Sequence, residues 1–274
     1  MRIRFVALFV VAVPTSALAQ DEPPRPLDEL IAEFIRSPGT AAAPKMISGC
    51  RAEPGTWRRE LLGRLLALGL SETSTEALAV ETASSLERCD YPELDAWFRD
   101  RLNDVTMHRL QTFLAFALYQ SGKPENRAAA RAAVFDHRRP HTVRYDMAAA
   151  MTAGQSLENG LEMIATGYRE HGTAPPNSFV TNRLAVLHDP GGERYRAEIE
   201  AGRREVLQAV LARPNGSGAV SLFNSLVFDA LKRPNEPWFQ EVGRAVREIA
   251  TGQRAGASAE LREFAAARLG RFGG

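Results

Sequence analysis

The sequence lacks a strong excess of one charge, long runs of β-branched residues and, beyond its first residues, any apolar segment long enough to cross a membrane. A formal net charge of +1 at pH 7 across 274 residues gives no electrostatic sign of binding to nucleic acid or to anionic lipid. Helix-forming residues (Ala, Leu, Arg and Glu) dominate instead. This composition predicts an all-helical protein.

The sequence also lacks the common catalytic motifs. It contains no H-E-x-x-H, G-x-S-x-G, G-x-x-x-x-G-K-[ST], helix-opening G-x-G-x-x-G or S-x-x-K pattern. These absences count against the commonest hydrolases and nucleotide-dependent enzymes. They do not exclude a site assembled from distant residues.

The first 19 residues have the pattern of a secretory signal peptide. Met1–Arg4 carries two arginines, Phe5–Val13 is an unbroken apolar run, and Ala17-Leu18-Ala19 has the small residues of a cleavage site. A bilayer span needs about 20 apolar residues, so this run is too short to be a membrane anchor. We predict cleavage after Ala19 and a periplasmic or secreted mature protein. Removal of the segment leaves a net charge of −1.

The two cysteines, Cys50 and Cys89, are expected to form a disulfide. An even number of cysteines in an exported protein favours pairing, and neither residue belongs to a C-x-x-C motif. Closing this loop would stabilise the fold by about 3–4 kcal/mol in the chain-entropy model. Free buried thiols and a reactive thiol are the alternatives.

Paired helices recur along the chain. Thr142–Ile164 has the pattern of a helix that ends at Gly154, followed by a second helix from about Ser156. The segment Leu114–Asn126 has the same order, and its final Glu-Asn pair precedes Glu158-Asn159 by 33 residues. Recurrence at this spacing is typical of stacked helical arrays. We predict an all-α fold, an α-solenoid of stacked antiparallel helix pairs, with an irregular helical bundle as the alternative.

Two segments resemble the second helix of a HEAT repeat, in the short bacterial form named after phycobilisome lyases. That motif has an aliphatic-Arg pair near its start, small residues in its middle and a glycine at its end. Residues 142–154 match it through Val143-Arg144, Ala148-Ala149 and Gly154, and residues 260–274 through Leu261-Arg262, Ala265-Ala266, Leu269 and Gly270.

The resemblance to HEAT repeats covers most of residues 74–272 and implies a HEAT-like solenoid. Leu110-Gln111 and Ala219–Arg233 depart from the motif. Tetratricopeptide repeats have a similar period, and Thr152-Ala153-Gly154 would then be a turn between helices. The predicted organisation is a signal peptide (1–19), an N-terminal helical cap region (20–73) and a HEAT-like helical repeat domain (74–274).

Four local expectations concern surface and core. The mixed charges of Glu193–Glu205 predict a solvent-facing helix side. Pro214–Gly218 predicts a flexible connection, and Ser258–Arg271 predicts one final helix. The residues Trp57, Trp97 and Trp238 lie in apolar helical stripes and are expected in the core.

The strongest candidate for a site is the segment Asp136-His137-Arg138-Arg139-Pro140-His141. Two histidines four residues apart share one face of a continuous helix, as some metal ligands do. Pro140 interrupts such a helix, however, and two arginines repel a cation. We therefore predict an exposed, basic turn between helices, with no metal and no cofactor. A docking patch for an acidic partner is the alternative interpretation of the same turn, formed by His137, Arg138, Arg139 and His141. The remaining histidines are expected to cap helices or lie at the surface: His108, His171 and His188.

These features favour an exported, non-enzymatic helical-repeat protein that binds a protein or peptide on the concave face of its array. No catalytic residue, nucleic-acid partner or membrane span after cleavage is predicted. The first alternative is an envelope enzyme or enzyme subunit with a site in the solenoid groove, formed by His108, His137 and His141. The second is a structural envelope component that self-assembles.

Overall fold

The computed structural model describes residues 25–37, 56–70, 75–86, 92–104, 107–153, 157–185 and 196–273. Every regular element in these ranges is helical, which confirms the predicted all-α class. None of these helices has the length and apolar character of a membrane span. The predicted signal peptide, both cysteines, Gly154 and His188 lie outside the described residues.

The chain divides into two compact units, Met1–Asp90 and Tyr91–Gly274. The first unit contains α1 (Leu27–Arg36), α2 (Thr56–Leu70) and α3 (Glu76–Leu86). Helix α2 packs on both α1 and α3. The predicted boundary between residues 73 and 74 stays a prediction. The core of this unit consists of buried apolar side chains at helical spacing: Leu30, Phe34, Trp57, Leu61, Leu65, Ala79, Ala83 and Leu86.

The second unit contains ten of the described α-helices and a final short 3₁₀ helix. Their bounds are α4 (Pro92–Asp104), α5 (His108–Gln120), α6 (Pro124–Phe135), α7 (His141–Met151), α8 (Leu157–His171), α9 (Asn177–Ala185), α10 (Arg196–Ala212), α11 (Ala219–Leu231), α12 (Pro237–Ala250), α13 (Ala259–Ala266) and the 3₁₀ helix Leu269–Arg271.

The helices of the second unit form two layers. Helices α4, α6, α8, α10 and α12 each contact the next member of their series, and α5, α7, α9, α11 and α13 do the same. Each even-numbered helix also contacts the odd-numbered helix that follows it. This order of contacts suits a helical repeat or a layered bundle. The assignment to HEAT-like or tetratricopeptide-like repeats stays a prediction.

Glycines allow close packing within the even-numbered layer. A Cβ atom added at Gly202 of α10 would lie 2.7 Å from the Leu161 Cβ of α8. One added at Gly167 of α8 would lie 2.2 Å from the ring of Phe135 at the end of α6. These approaches are too short for any residue with a side chain. The two glycines therefore allow α8 to pack closely against both α6 and α10.

The connection Pro214–Gly218 is packed, so the prediction that it is flexible is wrong. The Gly218 backbone N–H donates to the Gly172 carbonyl oxygen (3.0 Å), and the Tyr168 hydroxyl donates to the Arg213 carbonyl oxygen (2.6 Å). A Cβ at Gly218 would lie 2.3 Å from the Ala174 nitrogen. Glycine is present here because two backbone segments approach each other closely.

The final predicted helix is divided in two. Ser258 caps its first part, since the Ser258 hydroxyl accepts a hydrogen bond from the Leu261 N–H (3.1 Å). The α-helix ends at Ala266, however, and the 3₁₀ helix follows. The residue that follows the 3₁₀ helix is Phe272, whose ring centroid lies 4.7 Å from that of Phe239 in α12. Burial of the Phe272 ring against α12 stabilises this ending of the chain.

Arg203 is fully buried, although the mixed-charge pattern predicts a solvent-facing helix side. Its exposed fraction is 0%, and its Nη2 lies 2.9 Å from Asp229 Oδ2. The Trp238 Nε1–H also donates to Asp229 Oδ2 (3.1 Å). Burial lowers the pKa of Arg203, and Asp229 opposes that shift. This network joins α10, α11 and α12, and the prediction for Arg203 is wrong.

We predict that Asp229→Ala lowers the free energy of unfolding by about 3–5 kcal/mol, because it leaves the buried Arg203 charge without its counter-ion. The control is Glu241→Ala in α12, which removes an exposed ion pair with Arg204, the neighbour of Arg203 in α10 (3.0 Å). That loss should be at most about 1 kcal/mol. Urea denaturation monitored by circular dichroism measures both values. Equal losses would contradict a special role for the buried pair.

Candidate functional site

The basic segment forms a turn between α6 and α7, as predicted. Helix α6 ends at Phe135, Pro140 precedes the first residue of α7, and the Arg139 N–H donates to the Asp136 carbonyl oxygen (3.0 Å). His137 and His141 are both exposed. Because Pro140 separates them into different elements, the two histidines do not share a helix face.

A cleft of about 430 Å³ lies at this turn. Its walls come from the ends of three helices in the even-numbered layer, α4, α6 and α8, together with the turn itself. Three of the four predicted patch residues line it, and His141 does not. The lining residues are Asn103, Ala132, Ala133, Phe135, Asp136, His137, Arg138, Arg139, His171 and Thr173.

Arg138 and Asp136 form a two-pronged ion pair at the cleft. Arg138 Nε donates to Asp136 Oδ1 (2.8 Å), and Nη2 donates to Oδ2 (3.1 Å). The Arg138 backbone N–H also donates to Oδ1 (3.1 Å). These hydrogen bonds hold the pKa of Asp136 below its ordinary value. The Arg138 side chain is nevertheless 82% exposed, so it remains accessible to a ligand.

Arg139 is mostly buried and ties the turn to neighbouring helices. Its Nη1 donates to Gln111 Oε1 of α5, and its Nη2 donates to the Leu102 carbonyl oxygen of α4 (2.9 Å). Its Nε lies 3.7 Å from Asp136 Oδ2. Burial lowers the pKa of Arg139. Arg139 therefore contributes positive charge to the cleft and fixes its shape.

Two side chains fix the segment after α8 against the end of α6. Arg144 Nε donates to the Val134 carbonyl oxygen (2.7 Å), and Nη2 donates to the Ala174 carbonyl oxygen (2.6 Å). The Thr173 hydroxyl donates to the Phe135 carbonyl oxygen (2.9 Å). The last carbonyl groups of a helix lack partners within it. These contacts supply partners and make residues 173–174 a wall of the cleft.

His171, the last residue of α8, also lines the cleft. Its ring centroid is 5.8 Å from that of Phe135, and its Nε2 is 3.7 Å from Glu170 Oε2. Arg131 holds Glu170 through Nη2–Oε1 (2.7 Å) and Nε–Oε2 (3.0 Å) contacts. The position of His171 at a helix end agrees with the prediction, whereas nothing in the sequence indicated that it lies beside the predicted patch.

His108 lies outside the cleft lining. It is the first residue of α5, and its Nε2 is 2.8 Å from Asp146 Oδ2 of α7, with both side chains partly exposed. Of the three histidines proposed for an enzyme site, His137 lines the cleft, and His108 and His141 do not. In the described ranges, no group of three or more His, Cys, Asp or Glu side chains is arranged to hold a metal ion.

Comparison with known proteins gives no family assignment for this chain. No protein-family model, curated protein or solved structure matches it. Its function is therefore inferred from the geometry of the cleft and from the two helix layers.

We predict that Asp136 titrates below its ordinary pKa of about 3.9, because Arg138 donates to the ionised carboxylate. The folded-state pKa is lower than the unfolded one. The interaction therefore stabilises the fold fully above the unfolded pKa and is lost as the pH falls through the folded pKa. Carboxyl ¹³C NMR as a function of pH measures the midpoint of the Asp136 titration. Arg138→Gln should raise it towards the ordinary value, and an unchanged midpoint would contradict this assignment.

Proposed function

We propose that the mature chain is an exported, non-enzymatic helical-repeat protein that binds a protein or peptide partner. The N-terminal sequence pattern supports export, and the two helix layers supply a stiff frame. The observation that carries the proposal is the open cleft at the turn, where the exposed His137 and Arg138 meet Phe135 and His171. We place the docking surface at this cleft, at the ends of α4, α6 and α8.

The cleft has the chemical character of a binding site. Ligand clefts commonly occupy about 300–1,000 Å³ and combine an apolar lining with a few polar groups. This cleft is near the lower end of that range. Its apolar lining consists of the exposed Ala132 together with the nearly buried Ala133 and Phe135, and its polar rim is formed by His137 and Arg138. Its size suits a short extended segment of a partner, and arginine is often an energetic anchor at interfaces.

The chemistry of the cleft favours binding over proton-transfer catalysis. A general acid or base works best when its pKa is near the operating pH. Arg138 instead holds the pKa of Asp136 below its ordinary value. Asp136 therefore stays ionised at neutral pH and acts as a fixed charge.

An enzyme or enzyme subunit is the second candidate, and the His108–Asp146 pair (2.8 Å) favours it. A carboxylate that orients an imidazole is a common part of acid-base sites. If this pair is catalytic, His108→Ala should abolish a turnover that His137→Ala leaves intact. Loss of partner binding on His137→Ala, with no effect of His108→Ala, would favour the binding function.

Site-specific photo-crosslinking tests the binding proposal. A photo-reactive amino acid replaces His137 in the cleft, or Glu263 on the exposed side of α13 as the matched control. The tagged protein is crosslinked in cells that naturally make it, and mass spectrometry identifies the products. We expect one dominant protein to crosslink from position 137 and not from position 263.

The captured partner is then purified and its affinity for the protein is measured directly. Arg138→Ala should weaken this binding by at least about tenfold if the arginine is an interface anchor. The same background proteins at both crosslinking positions would overturn the proposed docking surface. So would a purified partner whose affinity is unaffected by Arg138→Ala.

A further inference from the structure

The fixed charges at the turn leave a net positive charge in the cleft. Two guanidinium groups, on Arg138 and Arg139, face one carboxylate, on Asp136. The nearby Glu170 carboxylate is already held by Arg131 through two hydrogen bonds. A ligand that enters this cleft therefore meets an excess of positive charge, which favours an anionic group.

Arg138 is the group best placed to receive that anion. It is 82% exposed, and its bonds to Asp136 use only Nε and Nη2. Among the described residues, none accepts a hydrogen bond from Arg138 Nη1. A guanidinium group prefers two parallel hydrogen bonds to a carboxylate. The Asp136 carboxylate already accepts two such hydrogen bonds from Arg138.

Asp136 can release Arg138 without becoming an isolated charge. Its Oδ1 also accepts a hydrogen bond from the Arg138 backbone N–H (3.1 Å), and its Oδ2 lies 3.7 Å from Arg139 Nε. Both contacts are independent of the position of the Arg138 side chain. Displacement of Arg138 thus leaves the Asp136 carboxylate beside a second cation and avoids the large cost of an unpaired charge.

We infer that the cleft binds a carboxylate side chain of an acidic peptide segment, and that Asp136 occupies the position of this ligand group in the free protein. This inference rests on the proposed binding function and specifies its ligand. Arg138 is the residue that contacts the ligand carboxylate, and Asp136 competes with it. The exposed methyl group of Ala132 also lines the cleft, and a peptide would cover it whereas a free inorganic anion would not, which favours the peptide.

The test uses a fluorescein-labelled oligoglutamate peptide and the purified protein at low ionic strength, with binding followed by fluorescence anisotropy. Asp136→Asn removes the competing charge and keeps the shape of the side chain, so we expect affinity to increase at least about threefold. Arg138→Gln should reduce affinity about tenfold. An oligoglutamine peptide of equal length should not bind.

Matched variants separate the local effect from the change in net charge. Glu263→Gln and Arg247→Gln make the same charge changes at exposed positions on α13 and α12. Both should leave the affinity for oligoglutamate nearly unchanged. Equal effects of Asp136→Asn and Glu263→Gln, or of Arg138→Gln and Arg247→Gln, would overturn the inference. Circular dichroism of each variant confirms that the helical fold is retained.

Two further outcomes identify which proposal fails. Displacement of oligoglutamate by inorganic phosphate at an equal concentration of charge would overturn the carboxylate assignment. A second outcome is that a partner crosslinks specifically from position 137, but Asp136→Asn and Arg138→Gln do not change oligoglutamate binding. This outcome would overturn the present inference and leave the proposed function intact. Oligoglutamate binding that responds to both variants, without a specific crosslinked partner, would instead count against the proposed function alone.

Discussion

Hydrogen bonds from arginine side chains to backbone carbonyl groups hold together the helix ends of the even-numbered layer. Arg139 binds the Leu102 carbonyl oxygen of α4 (2.9 Å), Arg144 binds that of Val134 in α6 (2.7 Å), and Arg213 binds that of Arg169 in α8 (3.0 Å). Carbonyl groups in the last turn of a helix lack internal partners and favour nearby positive charge. Each arginine lies outside the helix it caps, so each bond also joins two segments. The cleft exists because three such ends lie side by side.

This arrangement divides the arginines at the turn between structure and binding. Arg139 and Arg144 are largely withdrawn from solvent, and each donates to at least one backbone carbonyl oxygen of a neighbouring segment. Arg138 is exposed, and its side chain donates to Asp136, a neighbouring carboxylate that a ligand can replace. A buried guanidinium requires several acceptors, whereas an exposed one can exchange acceptors at little cost. Arg139 and Arg144 therefore shape the cleft, whereas Arg138 remains available to a ligand.

Patterns among residues close together in the sequence predicted the helices and the turn, because these features depend mainly on neighbouring residues. Apolar spacing predicted the helices, and Pro140 predicted the turn at which His137 and Arg138 lie. Burial of Arg203 depends on Asp229, 26 residues away, so a charge pattern on one helix could not reveal it. A signal was present, because Arg203 lies in the apolar stripe of Ile199 and Val206. The remaining walls of the cleft could not be predicted, because layer contacts bring together residues that are far apart in sequence: Asn103, Phe135, His171 and Thr173.

Hydrogen–deuterium exchange of Arg144→Met tests most directly whether arginine capping holds these helix ends together. Loss of charged hydrogen bonds to Val134 and Ala174 should cost about 1.5–3 kcal/mol, which corresponds to about 10–100-fold faster local exchange. We expect this acceleration at Gly172 and Gly218, whose amides donate within the adjoining segment. Arg247→Met, at an exposed position of α12, is the control and should change nothing there. Unchanged exchange at Gly172 and Gly218 in Arg144→Met would contradict the central role of these caps.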